Sequence, residues 1–174
     1  MERLNQKLAS AQKALMRFEE ALVKMEAQGE ISDYELIRDS VIQRFEFTYE
    51  MTWRLLRLFL EKVKLVSLDQ LTSPRQIFRV AAQVNILSSA DLKIVSDIIE
   101  DRNKTTHTYD EEVAEEIAHK LRLYADFMKS IIEQTFLSYY YILRYDSVCA
   151  KSAHPEYFFE EKMYRGRIAV NNFW

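Results

Sequence analysis

An arginine, a histidine and a tyrosine stand close together in the segment EDRNKTTHTYDEE, residues 100–112. Arg102, His107 and Tyr109 are its reactive groups. An imidazole changes charge near neutral pH, so it can take a proton from a ribose 2′-hydroxyl or return one to a leaving 5′-oxygen. A guanidinium binds phosphate through paired N–H bonds and stabilises the charge that develops there. Arg102 with His107 is thus a minimal kit for cutting RNA without a metal. One imidazole cannot easily be acid and base at once, but two copies related by a two-fold axis can share the work.

Local structure must bring these groups together. On an unbroken α-helix Arg102 and His107 would lie about 140° apart, which is poor for joint work on one phosphate. Asn103, Thr105, Thr106, His107 and Thr108 are weak helix formers. The helix is therefore predicted to fray or end here and turn His107 back toward Arg102. TYDE at 108–111 reads as a capping box that opens the next helix. The three side chains would then surround a helix junction, near backbone N–H groups suited to an anion. The plainer alternative is a capping loop with a hydrogen-bonded histidine. Spacing alone does not choose between them.

The flanking sequence is helical. Leu4, Leu8, Ala11, Leu15, Phe18, Leu22 and Met25 recur every three or four residues, so residues 3–27 read as helix one, ended by Gly29. SDYE at 32–35 reads as a capping box for a second helix over 34–64. That helix is apolar over a wide arc, which fits a central position in a bundle or a subunit interface. SPRQ at 73–76 opens a third helix, with Ser73 as cap and Pro74 in its first turn, ending near Asn85. SSAD at 88–91 opens a fourth. A fifth runs through residues 112–136. The expected fold is all-α: an antiparallel up-and-down bundle of four main helices and a short one. Residues 1–137 are expected to form the bundle, and 138–174 an aromatic-rich C-terminal extension of unknown role without a clean helical stripe beyond its first few residues.

Composition agrees. With 48% hydrophobic and 29% charged residues, the chain is expected to be globular and not disordered. Two Gly and two Pro are too few turn residues for a β-sandwich or a dinucleotide-binding fold. No apolar run approaches the roughly 20 residues of a membrane span, and MERLNQKLASAQKAL is no signal peptide. Cys149 is the only cysteine, which excludes an internal disulfide and a thiolate zinc site. The expected location is cytoplasmic. A net charge of −3 argues against non-specific nucleic-acid coating but leaves room for a local basic cleft.

Other groupings are weaker. Glu116 and His119 have the Glu-x-x-His spacing of di-iron bundles, but no second pair exists, so no metal or cofactor is expected. His154 has no partner suggested by spacing. Arg54, Arg57, Lys62, Lys64, Arg75 and Arg79 read first as solvated charges, and second as flanks of an RNA cleft. Tyr139–Tyr141 could stack bases, although packing on the bundle is the better expectation.

Three segments in order, IQRFEFTYEMTW at 42–53, SPRQIFRVA at 73–81 and IEDRNKTTHTYDEE at 99–112, resemble the bacterial HEPN proteins. These include the HepT toxin-like partners of minimal nucleotidyltransferases, also known as nucleotidyltransferase substrate-binding proteins. The resemblance spans roughly residues 3–136. It implies a two-fold homodimer, with helix two and the 102–109 junction near its interface. It implies a metal-independent endoribonuclease toxin of a HepT/MntA-like toxin–antitoxin pair, acting on RNA through Arg102 and His107, with Asn103 as the supporting polar residue. It further implies that the partner nucleotidyltransferase transfers AMP to Tyr109 and so inhibits the toxin. The alternative it carries is a non-catalytic substrate-binding or adaptor subunit of the nucleotidyltransferase.

Overall fold

The computed structural model describes residues 2–27 and 33–149, with side chains as far as Tyr141. Among these residues the chain is all helix. The helices are α1 (Glu2–Glu26), α2 (Tyr34–Lys62), α3 (Pro74–Gln83), α4 (Asp91–Lys104), α5 (Glu111–Ala118) and α6 (Leu121–Cys149). Short 3-10 turns cover Leu68–Gln70 and Thr105–His107. No helix among the described residues is long and apolar enough to cross a membrane.

α1 buries its expected stripe, Leu4, Leu8, Ala11, Leu15, Phe18 and Leu22, and packs along α2. α6 runs the other way along α1: Arg122 pairs with Glu26, and Lys129 with Glu19. An aromatic seam ties these three helices together. The Phe45 ring on α2 lies 6.3 Å from Phe18 on α1 and 5.5 Å from Tyr124 on α6. α2 is the central element, burying Val41, Phe45, Tyr49, Leu55, Leu56 and Phe59. Its buried Thr48 and Thr52 hydroxyls donate to the carbonyls of Arg44 and Thr48 at 2.7 and 2.8 Å, so neither leaves a polar orphan in the core.

The caps explain where the shorter helices begin and end. Ser73 Oγ accepts from the Gln76 N–H, and Pro74 fills the first position of α3. α3 ends at Gln83, and the chain turns away at Asn85, near the expected end; its left-handed φ of 59° lets its own N–H and that of buried Ile86 reach the carbonyls of Ala82 and Ala81. Ser88 and Asp91 exchange backbone-to-side-chain bonds of 2.6 and 3.3 Å just before α4. At the start of α2, Asp33 stands at the N-cap without a side-chain cap bond. Ser32 and Gly29, given roles in the sequence reading, fall outside the described residues.

Three expectations need correction. The fifth helix is two helices, α5 and α6, separated by a tight turn in which the Lys120 N–H reaches back only to Ile117. No Gly or Pro marks this break, because packing sets it: α5 is held on α2 while α6 follows α1. The cap of α5 is Asp110, which accepts from the Glu112 N–H at 3.1 Å, and not Thr108. The Thr108 hydroxyl instead donates to the Thr105 carbonyl at 3.2 Å. Finally, helix continues past 137 as far as Cys149. Tyr139 is buried, whereas Tyr140 and Tyr141 are exposed. His154 and the rest of the chain after Cys149 fall outside the described residues.

Candidate functional site

α4 does not fray before the motif. It holds through Lys104, tightens into the Thr105–His107 turn, and releases at Asp110. The threonines drive the tightening. Thr105, Thr106 and Thr108 each donate a hydroxyl to the carbonyl three residues earlier, at 2.6, 3.1 and 3.2 Å. The backbone stays right-handed through Thr108, so the chain winds onward from the end of α4. No hydrogen bond joins Arg102 to His107 among the described residues.

His107 is instead paired with Tyr109. Its Nδ1 lies 3.2 Å from the Tyr109 hydroxyl, and the rings meet edge-on with centroids 5.8 Å apart. Both side chains are exposed, Tyr109 to 85%. Asn103 is also exposed. Arg102 is half-buried and makes no ion pair among the described residues, unlike Arg38, Arg54 and Arg122. It acts electrostatically on α2. Burial pushes the Tyr49 phenol up to about 12, with Arg102 and Arg75 opposing the rise and Glu50 adding to it. Cations of α3 and α4 thus converge on one buried phenol.

Two side chains of α2 hold the motif from either side. Glu46 accepts from the Thr105 hydroxyl at 2.5 Å, and Thr105 is itself buried. That hydroxyl also faces the Arg102 carbonyl, so it shares one proton between the two acceptors. Further along, Arg38 is only 2% exposed and grips Asp39, Glu111 and Glu115, the last at 2.8 Å. Tyr34 donates to Glu115 at 3.1 Å and packs its ring against the guanidinium. Burial works against the Arg38 charge, but its hydrogen bonds to the carboxylates of Glu111, Glu115 and Asp39 outweigh it and raise the pKa. On the opposite face, buried Asp101 accepts from Tyr124 at 2.6 Å and from Lys120 at 3.0 Å, tying α4 to α6.

The remaining candidates resolve simply. Glu116 pairs with Lys104 and Lys120, while His119 is exposed, and no cluster among the described residues could hold a metal. Arg54 pairs with Glu50, Arg57 donates to the Leu71 carbonyl, and Lys62 pairs with Glu61. Lys64 lies over the Phe59 ring, and Arg75 and Arg79 are exposed. Sequence spacing missed Arg38 and Glu46. Their partners lie 73 and 59 residues away, beyond the reach of any periodicity.

An all-helical bundle with a short polar junction between α4 and α5 defines the class. Over residues 6–136 the chain matches the family described as nucleotidyltransferase substrate binding protein like, and it belongs to that family. A solved structure from Thermus thermophilus is 30% identical, with a TM-score of 0.63 over 72% of this chain and 98% of that one. A second, from Haemophilus influenzae, is 21% identical with a TM-score of 0.63, covering 74% of this chain and 98% of that one. It is described as revealing the fold of a substrate binding domain of a nucleotidyltransferase. At that identity the likeness is one of fold. No curated protein matches the chain.

Proposed function

We propose that this chain is the substrate-binding partner of a nucleotidyltransferase and presents Tyr109 to it as an acceptor of AMP. Family membership supports the partnership. The observation that carries the acceptor role is the 85% exposure of Tyr109 with its hydroxyl 3.2 Å from His107 Nδ1. In the transfer the phenol oxygen attacks the α-phosphorus of ATP, the bond to pyrophosphate breaks, and the phenol proton leaves to a base. The new phosphodiester would carry negative charge into the neighbourhood of Arg102, which has no ion pair among the described residues to give up. Exposed Leu36 and Phe47 on α2 support a homodimer through that helix.

The test is co-expression with a minimal nucleotidyltransferase. The two proteins should co-purify, and the intact chain should gain AMP units that map to Tyr109. Tyr109→Phe should bind the partner and gain nothing. Absence of association, or modification at Tyr140 or Tyr141 instead, would refute the reading.

A second reading is favoured by the half-buried Arg102 five residues before an exposed imidazole: a metal-independent endoribonuclease. His107 Nδ1 is engaged by Tyr109, which leaves Nε2 to move a proton. A second copy would supply the other acid–base group. Arg102→Ala and His107→Ala should then abolish RNA cleavage without unfolding, and a chelator should change nothing. Cleavage that persists in His107→Ala would refute it.

A further inference from the structure

Beside the motif, between the two grips of α2, lies an open surface depression of about 410 Å³. Its wall on the motif side is Thr105 and Thr108, the residues that bracket Thr106 and His107. Its α2 side carries Leu36 and Ile42 as apolar surface and Asp39, Ser40, Gln43 and Glu46 as polar groups.

The lining is selective. No lysine, arginine or histidine contributes to it, so it does not suit a phosphate. The described residues hold no group of three metal-ligating side chains, so it does not suit a bound cation. Its acids are already partly engaged. Asp39 is paired with Arg38 at 3.1 Å, and one Glu46 oxygen takes the Thr105 hydroxyl. They offer lone pairs more than uncompensated charge, which suits a neutral donor. Gln43 is exposed and has no hydrogen-bond partner among the described residues, so its amide is free to donate and accept. A free amide and a carboxylate beside exposed Leu36 are groups that can hydrogen-bond the edge of a nucleobase.

We propose that this depression is a subsite for a nucleobase bearing an exocyclic amine, with the free Glu46 oxygen as the group that selects it and the Gln43 amide as a second, non-selective partner. The site deepens the nucleotidyltransferase-partner reading by giving the chain its own nucleotide contact beside Tyr109, and it rests on that reading for its role. The exocyclic amine of adenine, guanine or cytosine would donate to the free Glu46 oxygen. Uracil lacks that amine. Its one ring N–H is flanked by two carbonyl oxygens, which would face a carboxylate.

Titration of the full chain with AMP, GMP, CMP and UMP, followed by ligand-observed NMR, tests this. At least one amine-bearing nucleotide should bind about tenfold tighter than UMP, the scale of one good base-edge pair. Glu46→Gln, which keeps an oxygen for the Thr105 hydroxyl and turns the free acceptor into a donor, should erase most of that preference. Gln43→Ala should weaken all four nucleotides and leave helicity unchanged, since Gln43 is exposed. Leu36→Asp should weaken every nucleotide alike. Equal binding of all four, no binding up to millimolar concentration, or an unchanged preference in Glu46→Gln would overturn the subsite. So would saturation of the depression by a lysine-rich peptide in place of nucleotides. The two readings fail separately. Tyr109 modification without base preference removes the subsite alone. Base preference without association or modification removes the nucleotidyltransferase reading and keeps the subsite.

Discussion

Arg38 offers the sharpest test of how the site is held. Its guanidinium is 2% exposed, yet its carboxylate partners are not buried: Asp39 is 54%, Glu111 60% and Glu115 32% exposed. That asymmetry decides the outcome. In Arg38→Met the freed carboxylates turn to water, so the loss is of charge-assisted hydrogen bonds, discounted for exposure, and not of a buried unpaired charge. Methionine recovers much of the packing, and a cost of about 2 kcal/mol follows. In the double variant Glu111→Ala/Glu115→Ala the cation stays buried with only exposed Asp39 for company. Taking two of its three carboxylate partners from a buried cation costs about 3–5 kcal/mol. Removing two accessible acids should therefore destabilise more than removing the buried base. Urea unfolding with linear extrapolation reads both values. For a chain of this size each kcal/mol shifts the melting temperature by about 2–4 °C. The reasoning is refuted if Arg38→Met costs under about 0.5 kcal/mol, or if the double variant is the milder of the two.

Other outcomes follow from the same contacts. Phe45→Ala, at the crossing of α1, α2 and α6, should cost about 3–5 kcal/mol in urea unfolding, whereas Tyr109→Phe should fall within about 0.5 kcal/mol of wild type. Burial raises the pKa of Tyr49 to about 12, and burial with the bond to Asp101 raises that of Tyr124 as well. A raised folded pKa gives stability that is complete below the ordinary phenol value of 10.0 and lost above it. Unfolding free energy should therefore fall as pH rises from 10 toward 12, and the ultraviolet absorbance of phenolate should show these two phenols ionising last. Thr105→Val should loosen the motif through loss of the Glu46 contact, seen as faster amide exchange at residues 105–108 with little change in the α1–α2 core.

Much of the fold was legible because it rests on local signals. The α1 stripe, the Ser73–Pro74 start of α3 and the turn at Asn85 are each written within a few residues. The motif was legible as chemistry for the same reason, since Arg102, His107 and Tyr109 sit within one polar segment. Its geometry was not. Threonine in the last turn of a helix reads as a breaker on propensity, yet here three hydroxyls bond to carbonyls three residues back and wind the chain tighter. Propensity marks where α4 ends, at Lys104, but not the 3-10 turn that follows it, which the hydroxyls wind. The break between α5 and α6 has no breaker residue at all, so only packing against α2 and α1 reveals it.

The junction is a polar segment of the kind that is usually mobile, and its restraint comes from elsewhere in the chain. Glu46 and Arg38 stand eight residues apart on α2, a little over two turns, and so point about 80° apart around its axis. One fixes Thr105, before His107, and the other fixes Glu111 and Glu115, after Tyr109. Between these fixed points His107 and Tyr109 are exposed and held mainly by each other. A segment pinned at both ends and free in the middle loses little entropy when its central side chains meet a partner, because its backbone is already placed. The same two grips flank the depression at Gln43. A single helix therefore sets both the presentation of the phenol and the shape of the proposed base subsite, so loosening α2 at Arg38 should weaken the two together even though Arg38 lines neither.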